Sequence, residues 1–470
     1  KMSPRVTKAL IKPDGSPCRT DTETADVFGE HFRKLYSATG AHDEAVLGLL
    51  RDSPVSTGLD VDPSLEEVRG ALRSLSAGKA AGASTITPDA LRVLLDDDAN
   101  LLEFHGTILD FWNSPDPFSD VFGDGILKLI PKKGDLSDPS NYRGIMLLEV
   151  PAKVIGRIIA SRLTGLLRRD GNGLEEQCGF MPERGCPDAY SALKQALKKR
   201  KEHSLDSWVL FIDLVKAFDT VPHSALWAVL RRRGIPPKLL GRIVALHTDV
   251  KVKLPVGDAS ASFNYTIGVK QGDSLAPVLF IFYIQAVLET LDRSSWTTPR
   301  FRFKMDDRLN GRSWRARGTE FDLRYSVYAD DTALVFESRA DLERAASVLR
   351  SHFSRWGLSI HVGSSTKRSK TEAMLVPGPR ADYADFDTSD IILPDGARIH
   401  FTKKFRYLGV VLSHSIDDLA DVDSRVAAAS GAFASLSSIF LSSRVKPDAK
   451  RAAYVSLVLP ILLYGSESWS

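Results

Sequence analysis

Cysteine is scarce in this sequence: three in 470 residues, Cys18, Cys178 and Cys186. So small and odd a set excludes a disulfide framework and offers no zinc spacing. It suits a reducing, intracellular compartment, without choosing between nucleus and cytoplasm. Long apolar runs are missing as well. The longest, residues 278–284, falls far short of the roughly 20 residues of a membrane helix, so no membrane partner is expected. No signal peptide is visible at Lys1-Met2-Ser3. Charge of one sign is lacking too. Lys+Arg 62 against Asp+Glu 59 leaves +3, so only the distribution of charge can announce a nucleic-acid binder. No internal repeat is evident. The remaining composition, 43% hydrophobic and 26% charged, is that of an ordinary globular protein. Its length exceeds a single core, and two or three subdomains are expected. The chain stops inside the apolar run 457–469, which reads as a fragment boundary.

What is present is a small number of well-placed acids. Tyr328-Ala329-Asp330-Asp331 follows Leu323, Tyr325 and Val327 and precedes Ala333, Val335 and Phe336. Two β-type runs joined by a tight acidic link predict a hairpin. Adjacent carboxylates at its tip repel unless a positive charge is near. Mg²⁺ takes one or two carboxylates and completes its octahedron with water and phosphate oxygens, so it is the natural partner. From the tetrapeptide alone, a solvated Asp-Asp turn is the ordinary alternative. A second stretch shifts the balance. Trp208-Val209-Leu210-Phe211-Ile212-Asp213 reads as a buried strand ending on an acid. Beside a hairpin tipped by Asp330, that strand would put both carboxylates on one sheet edge. Two-metal sites for in-line phosphoryl transfer are built this way, with ions about 4 Å apart.

A third stretch, Gly268-Val269-Lys270-Gln271-Gly272-Asp273-Ser274-Leu275-Ala276-Pro277, lies between them. In this order FIDLVKAFD, GVKQGDSLAP and YADD resemble motifs A, B and C of a reverse transcriptase, in particular of the non-LTR retrotransposon branch. The resemblance spans roughly residues 11 to 469. It implies an α+β fold, a right-hand polymerase of fingers, palm and thumb, with an antiparallel palm sheet packed on helices. The expected divisions are an N-terminal extension 1–60, fingers 61–205, palm 206–415 and a truncated thumb 416–470. The palm would carry a basic insertion at 292–324 and a primer-grip-like hairpin at 401–413. The implied reaction is RNA-templated DNA synthesis from dNTPs on a DNA or RNA primer. Mg²⁺ (two ions) would serve it, with Mn²⁺ as the alternative. Asp213 and Asp330 are the expected metal ligands, and Asp331 lies beside them as a third. The carbonyl of Ile212 or Leu214 is a further candidate ligand. Phe218 stands where the family places an aromatic steric gate against the 2′-OH. Gln271 and Gly272 open a helix, where backbone N–H groups suit phosphate or a base edge. Tyr328 is expected to support the hairpin or the primer end. Three rivals stay open: an RNA-dependent RNA polymerase with a similar palm, an intron-encoded or retron-type reverse transcriptase sharing these motifs, and a catalytically silent RNA-binding scaffold. The clustered acids weigh against the last.

The flanking text adds candidates. A strand at 126–130 leads into Pro131-Lys132-Lys133-Gly134 and Asn141-Tyr142-Arg143-Gly144. By resemblance, Lys132 or Lys133, with Arg143, would grip the triphosphate, and Arg143 ranks above either lysine. Residues 151–169 form an amphipathic helix. From Lys153 to Lys201 there are eleven Lys/Arg against five Asp/Glu, a face able to track a nucleic-acid backbone. Gln177-Cys178-Gly179-Phe180 resembles a family segment that lies along the template, although Met181 stands where a basic residue is usual. Residues 300–317 carry seven Lys/Arg and two acids. An alternating strand begins there at Arg300-Phe301-Arg302-Phe303-Lys304-Met305, Asn310-Gly311 offers a turn, and Trp296 and Trp314 either stack on bases or pack. Lys370 matches the motif D lysine that protonates pyrophosphate. A link lengthened by Gly363-Ser364-Ser365-Thr366 makes Lys367 and Arg368 its rivals. The sequence supplies no endonuclease, so that or other retrotransposon domains are expected outside these residues.

Overall fold

A computed structural model describes residues 9–37, 40–114, 124–169, 173–303, 319–322 and 325–469. The Lys304-Met305 end of the alternating strand, the Asn310-Gly311 turn, Trp314, Leu323 and Lys1-Met2-Ser3 lie outside the described residues. In chain order the strands are β1 (Gly125–Pro131), β2 (Tyr142–Leu148), β3 (Ser207–Ile212), β4 (Val250–Val256) and β5 (Ala259–Tyr265). They continue with β6 (Arg300–Phe303), β7 (Thr319–Asp322), β8 (Tyr325–Tyr328), β9 (Asp331–Phe336) and β10 (Glu372–Val376). Last come β11 (Ile391–Ile392), β12 (Arg398–Phe401), β13 (Lys404–Tyr407) and β14 (Val410–Ser413). The chain divides into two compact units. One comprises Lys1–Leu174, Lys216–Thr290 and Phe353–Leu358; the other, Glu175–Val215, Leu291–His352 and Ser359–Ser470.

The first unit holds a four-stranded sheet in the order β2-β1-β4-β5. The helix Asp21–Tyr36 covers one face. It starts in a capping box between Thr20 and Glu23 and buries Phe28, Phe32 and Tyr36. These meet Leu127, Tyr142, Met146, Val252 and Phe263 from the sheet in one apolar cluster. Strand β2 alternates, with Tyr142, Gly144, Met146 and Leu148 buried, so Arg143 is left on the opposite, exposed side. The helix Val150–Leu167 is tied to the helix Leu65–Arg73 by a forked ion pair. Arg162 Nε and Nη2 donate to the two oxygens of Glu67 at 2.7 and 2.8 Å, the paired geometry that makes Arg–carboxylate contacts strong. The helix Ala276–Glu289 is apolar all round, and Val278 through Leu288 are buried, as expected of a helix enclosed by protein.

The second unit is built on a six-stranded sheet, β11-β12-β10-β3-β9-β8. Strand β3 is buried at every position. It lies between β10 and β9 and pairs antiparallel with both, so it reads as an unbroken apolar run rather than an alternating one. The helix Cys186–Glu202 packs Tyr190, Leu193 and Leu197 against Val209, Phe211, Val335 and Met374. The β13–β14 hairpin joins the same core, where Phe405 stacks on Phe211 with centroids 4.0 Å apart. Its two-residue turn, Leu408-Gly409, has φ of +49° and +88°, both left-handed as a type I′ turn requires. Strands β6 and β7 form a separate antiparallel pair. Beyond the hairpin, the expected thumb residues form the helices Leu419–Ser435 and Pro447–Leu457. Among the described residues, no helix is long and apolar enough to cross a membrane.

Candidate active site

Strands β8 and β9 pair from Tyr325↔Leu334 to Tyr328↔Asp331, which leaves Ala329-Asp330 as a two-residue turn. Ala329 is left-handed, φ +56°, a conformation that costs a non-glycine residue about 1 kcal/mol or more. The surroundings enforce it. The side-chain oxygen of Gln177, which is 0% exposed, accepts the N–H of Ala329 at 2.9 Å and that of Gly179 at 2.7 Å. Cys178 N donates to Val327 O, and Val327 N to Glu176 O, so this segment runs along the open edge of β8. A Cβ at Gly179 would lie 2.4 Å from Ala329 N; only glycine permits the approach. Gln177 is thus the clamp on the acidic turn. The sequence reading placed this segment along the template and missed that role, for which the neighbouring glycine was the available signal.

The β3–β9 register ends at Ile212↔Thr332. One step further puts Asp213 across from Asp331, at the spacing of cross-strand neighbours. The expected convergence of Asp213, Asp330 and Asp331 on one sheet edge is therefore present. Asp331 keeps an exposed edge, yet burial of its carboxyl group against protein, then the charges of Asp330 and Asp213, push its pKa to about 6. The main chain of Asp213 is pinned on both sides. Its N–H donates to Thr371 Oγ1 at 3.0 Å, and its carbonyl accepts His361 N at 2.8 Å. Neither Thr371 nor His361 had been singled out from sequence. Of the three rival bases, Lys370 brings Nζ to 4.0 Å from Asp213 Oδ2. Arg368 turns instead to Glu372, 2.9 Å away. Tyr328 lies beside Phe180, ring centroids 6.5 Å apart.

The other candidates belong to the first unit. Phe218 is half-buried and stacks on Phe280 with centroids 4.4 Å apart. The motif B loop is laced to the residues around it: Val269 N donates to Phe218 O at 2.7 Å and Gly268 N to Val221 O at 2.8 Å. Gly272 has φ +111°, and a Cβ there would meet Met146 O at 2.5 Å. Gln271 donates through Nε2 to Asp219 Oδ1 at 3.0 Å. Asp219 is a further residue the sequence reading passed over. Burial raises its pKa from 3.8 to about 6, against the lowering pull of Lys216, Lys132, Gln271 and Tyr36. Lys132 and Lys133 are exposed, and Lys132 Nζ reaches Ser140 O at 3.3 Å.

The long basic face expected between Lys153 and Lys201 is corrected in part. Arg162 is spent on Glu67 and Arg157 on Ser74. Lys194 pairs with Asp418, and Arg200 binds Ser207 and the carbonyl of Asp206. Lys194 and Arg200 are buried. Their charges are consumed by neighbouring acceptors, which sequence counting cannot see. Trp296 is buried and meets Phe336 edge-on, so it packs rather than offering a base platform.

Comparison with known sequences bears on the same residues. The family described as "Reverse transcriptase (RNA-dependent DNA polymerase)" matches residues 130–412. The chain is similar to the "Transposon TX1 uncharacterized 149 kDa protein" of Xenopus laevis, 25% identical over 416 residues, 86% of this chain and 29% of that protein. It is similar to the "RNA-directed DNA polymerase from mobile element jockey" of Drosophila funebris, 24% identical over 425 residues, 87% of this chain and 42% of that protein. A "Retrovirus-related Pol polyprotein from type-1 retrotransposable element R2" of Popillia japonica is 29% identical over 283 residues, 60% of this chain and 36% of that protein. The chain thus spans well under two thirds of the length of these curated relatives.

Two measurements test the geometry. Gln177→Leu strips two buried N–H groups of their acceptor, and each orphaned group costs about 1–3 kcal/mol. Chemical denaturation should show at least about 1 kcal/mol lost; unchanged stability would mean the amide does not hold the turn. For Asp219, the folded pKa lies above the unfolded one, so the folded state keeps its proton longer. Stability then falls as pH rises from 3.8 to about 6 and is level above that window. Asp219→Asn should remove this part of the decline, and superimposable pH–stability curves for the two proteins would contradict it.

Proposed function

Because the chain belongs to the reverse transcriptase (RNA-dependent DNA polymerase) family, we propose that it extends a DNA or RNA primer with dNTPs on an RNA template. The setting we infer is a non-LTR retrotransposon, since relatives carry the names of mobile elements. The supporting observation is the gathering of Asp213, Asp330 and Asp331 at the end of β3 and the β8–β9 turn. We also place the protein inside the cell, a reading supported by three unpaired thiols. An endonuclease or other element-encoded domain is a proposed partner, supported by the greater length of the relatives.

Reverse transcriptases use divalent metal ions. The donor set suits Mg²⁺, with Mn²⁺ as alternative: hard carboxylate oxygens, crowded enough that Asp331 titrates near 6 without a cation. Among the described residues, no three His, Cys, Asp or Glu side chains form a ready ion cage. Mg²⁺ as a rule keeps water and takes further ligands from phosphate oxygens. Asp213 and Asp330 would hold two ions, with Asp331 tuning the charge. Bound there, the ions lower the pKa of the primer 3′-OH and neutralise charge on the triphosphate. Lys370 delivers the proton that leaving pyrophosphate takes up. Arg143, with Lys132 or Lys133, draws in the triphosphate through charge-assisted hydrogen bonds. Gln271 and Gly272 contact the incoming nucleotide, Tyr328 supports the primer end, and Phe218 excludes a 2′-OH.

Primer extension on RNA and DNA templates, with dNTPs and with NTPs, tests the reading. Asp330→Asn should lower Mg²⁺-dependent extension by about 10²–10³-fold or more while template–primer binding survives on backbone contacts. A mutant that extends near the wild-type rate would remove the metal assignment. Phe218→Val should raise the rNTP/dNTP incorporation ratio by about tenfold or more, equivalent to about 1.4 kcal/mol. An unmoved ratio in a folded, dNTP-extending mutant would remove both the gate and the preference for DNA as product.

A further inference from the structure

Lys370 follows a loop, 363–369, in which Ser364 through Arg368 are all exposed. Exposed loop residues alone do not hold the next side chain in one place. Something else must anchor Lys370 if it is to deliver a proton. Two histidines from different parts of the second unit converge on that anchor. His361 Nδ1 accepts the backbone N–H of Lys370 at 3.2 Å. His400 Nδ1, on β12, accepts the backbone N–H of Ser369 at 3.2 Å. The hydroxyl of Ser369, 4% exposed, closes the knot: it lies 3.1 Å from His400 Nδ1, donates to Thr371 O at 2.7 Å and accepts His400 N at 3.3 Å. Gly363 sits against the same knot, where a Cβ would lie 2.9 Å from His400 Cε1.

An imidazole nitrogen accepts a hydrogen bond only when its proton sits on the other nitrogen. In the tautomer that accepts these bonds, each ring carries its hydrogen on Nε2. For His400 that hydrogen faces Asp390 Oδ2, 3.5 Å away, which favours this tautomer. His361 also ties the anchor to the metal-side acid, because its own N–H donates to Asp213 O at 2.8 Å.

We propose that His361 and His400 are a pair of positioning residues that clamp the Ser369-Lys370 backbone and so aim the Lys370 ammonium at the reaction. The assignment rests on the reading of Lys370 as the general acid. It concerns the side chains of the two histidines, not the main chain of His361. An Asn side-chain oxygen reaches the place of Nδ1 and keeps the acceptor; Leu fills similar space and removes it.

The experiment is a mutant cycle read by single-turnover dNTP incorporation. Lys370→Ala should slow incorporation, a general acid contributing about 10²–10⁴-fold. His361→Leu and His400→Leu should each slow it by about tenfold, as part of that factor, while His361→Asn and His400→Asn recover most of the rate. Combined with Lys370→Ala, either Leu substitution should slow incorporation no further, since residues acting through one group are non-additive. Additive slowing in the Lys370→Ala background, or no recovery with Asn, overturns the clamp and leaves the general acid standing. A Lys370→Ala enzyme of undiminished rate overturns the general acid and the clamp together. If His361→Leu does not fold, the cycle is decided by His400→Leu, farther from Asp213.

Discussion

Like charges repel, and Asp213, Asp330 and Asp331 stay together only because the backbone leaves them no alternative. The antiparallel ladder of β3, β8 and β9 sets where each Cα lies, and side chains that follow a ladder cannot drift apart. The ladder alone is not enough at its end, where pairing stops. There Gln177 grips the turn from one side, and Thr371 and His361 grip the main chain of Asp213 from the other. All of these grips are neutral hydrogen bonds. A cationic clamp would relieve the repulsion itself and compete with the metal ions; a neutral one leaves the negative potential in place for them.

This explains which parts of the site were legible in the sequence. The acids and their strands stood out because apolar runs ending on Asp are rare patterns with few readings. The acidic hairpin, expected from two β-type runs and a tight link, is present as β8 and β9. Gln177, Thr371, Asp219, His361 and His400 did not stand out. Apart from His361 and Lys370, nine residues apart, their roles depend on partners far off in sequence, such as Asp213 N on Thr371 Oγ1 and Ser369 N on His400 Nδ1, 158 and 31 residues apart. No periodicity reports a contact of that range. The basic face between Lys153 and Lys201 failed for a related reason. Counting charges treats each as free, whereas Arg162 and Arg200 find acceptors inside the fold.

Aromatic stacking links elements that hydrogen bonds do not. Phe405 on Phe211 joins the β13–β14 hairpin to the strand that ends at Asp213, and Tyr407 OH donates to Ser326 O and Oγ, both at 3.1 Å, on the strand that leads to Asp330. The hairpin thereby touches both acid-bearing strands. In the first unit, Phe218 stacks on Phe280, so a residue of the helix Ala276–Glu289 bears on the tilt of the proposed sugar gate.

The two-residue turn at Ala329-Asp330 also limits how this gene can change length. Side chains alternate with a period of two along a strand, so one inserted codon there would swing Ala333 and Val335 out of the core and bring polar neighbours in. A deletion would do the same. The exposed stretch 364–368 between buried Gly363 and Ser369 carries no such parity, because its residues face solvent. An added or lost residue would therefore be felt at the acidic turn and absorbed in the loop, where the two histidines hold the anchor that extra length would loosen.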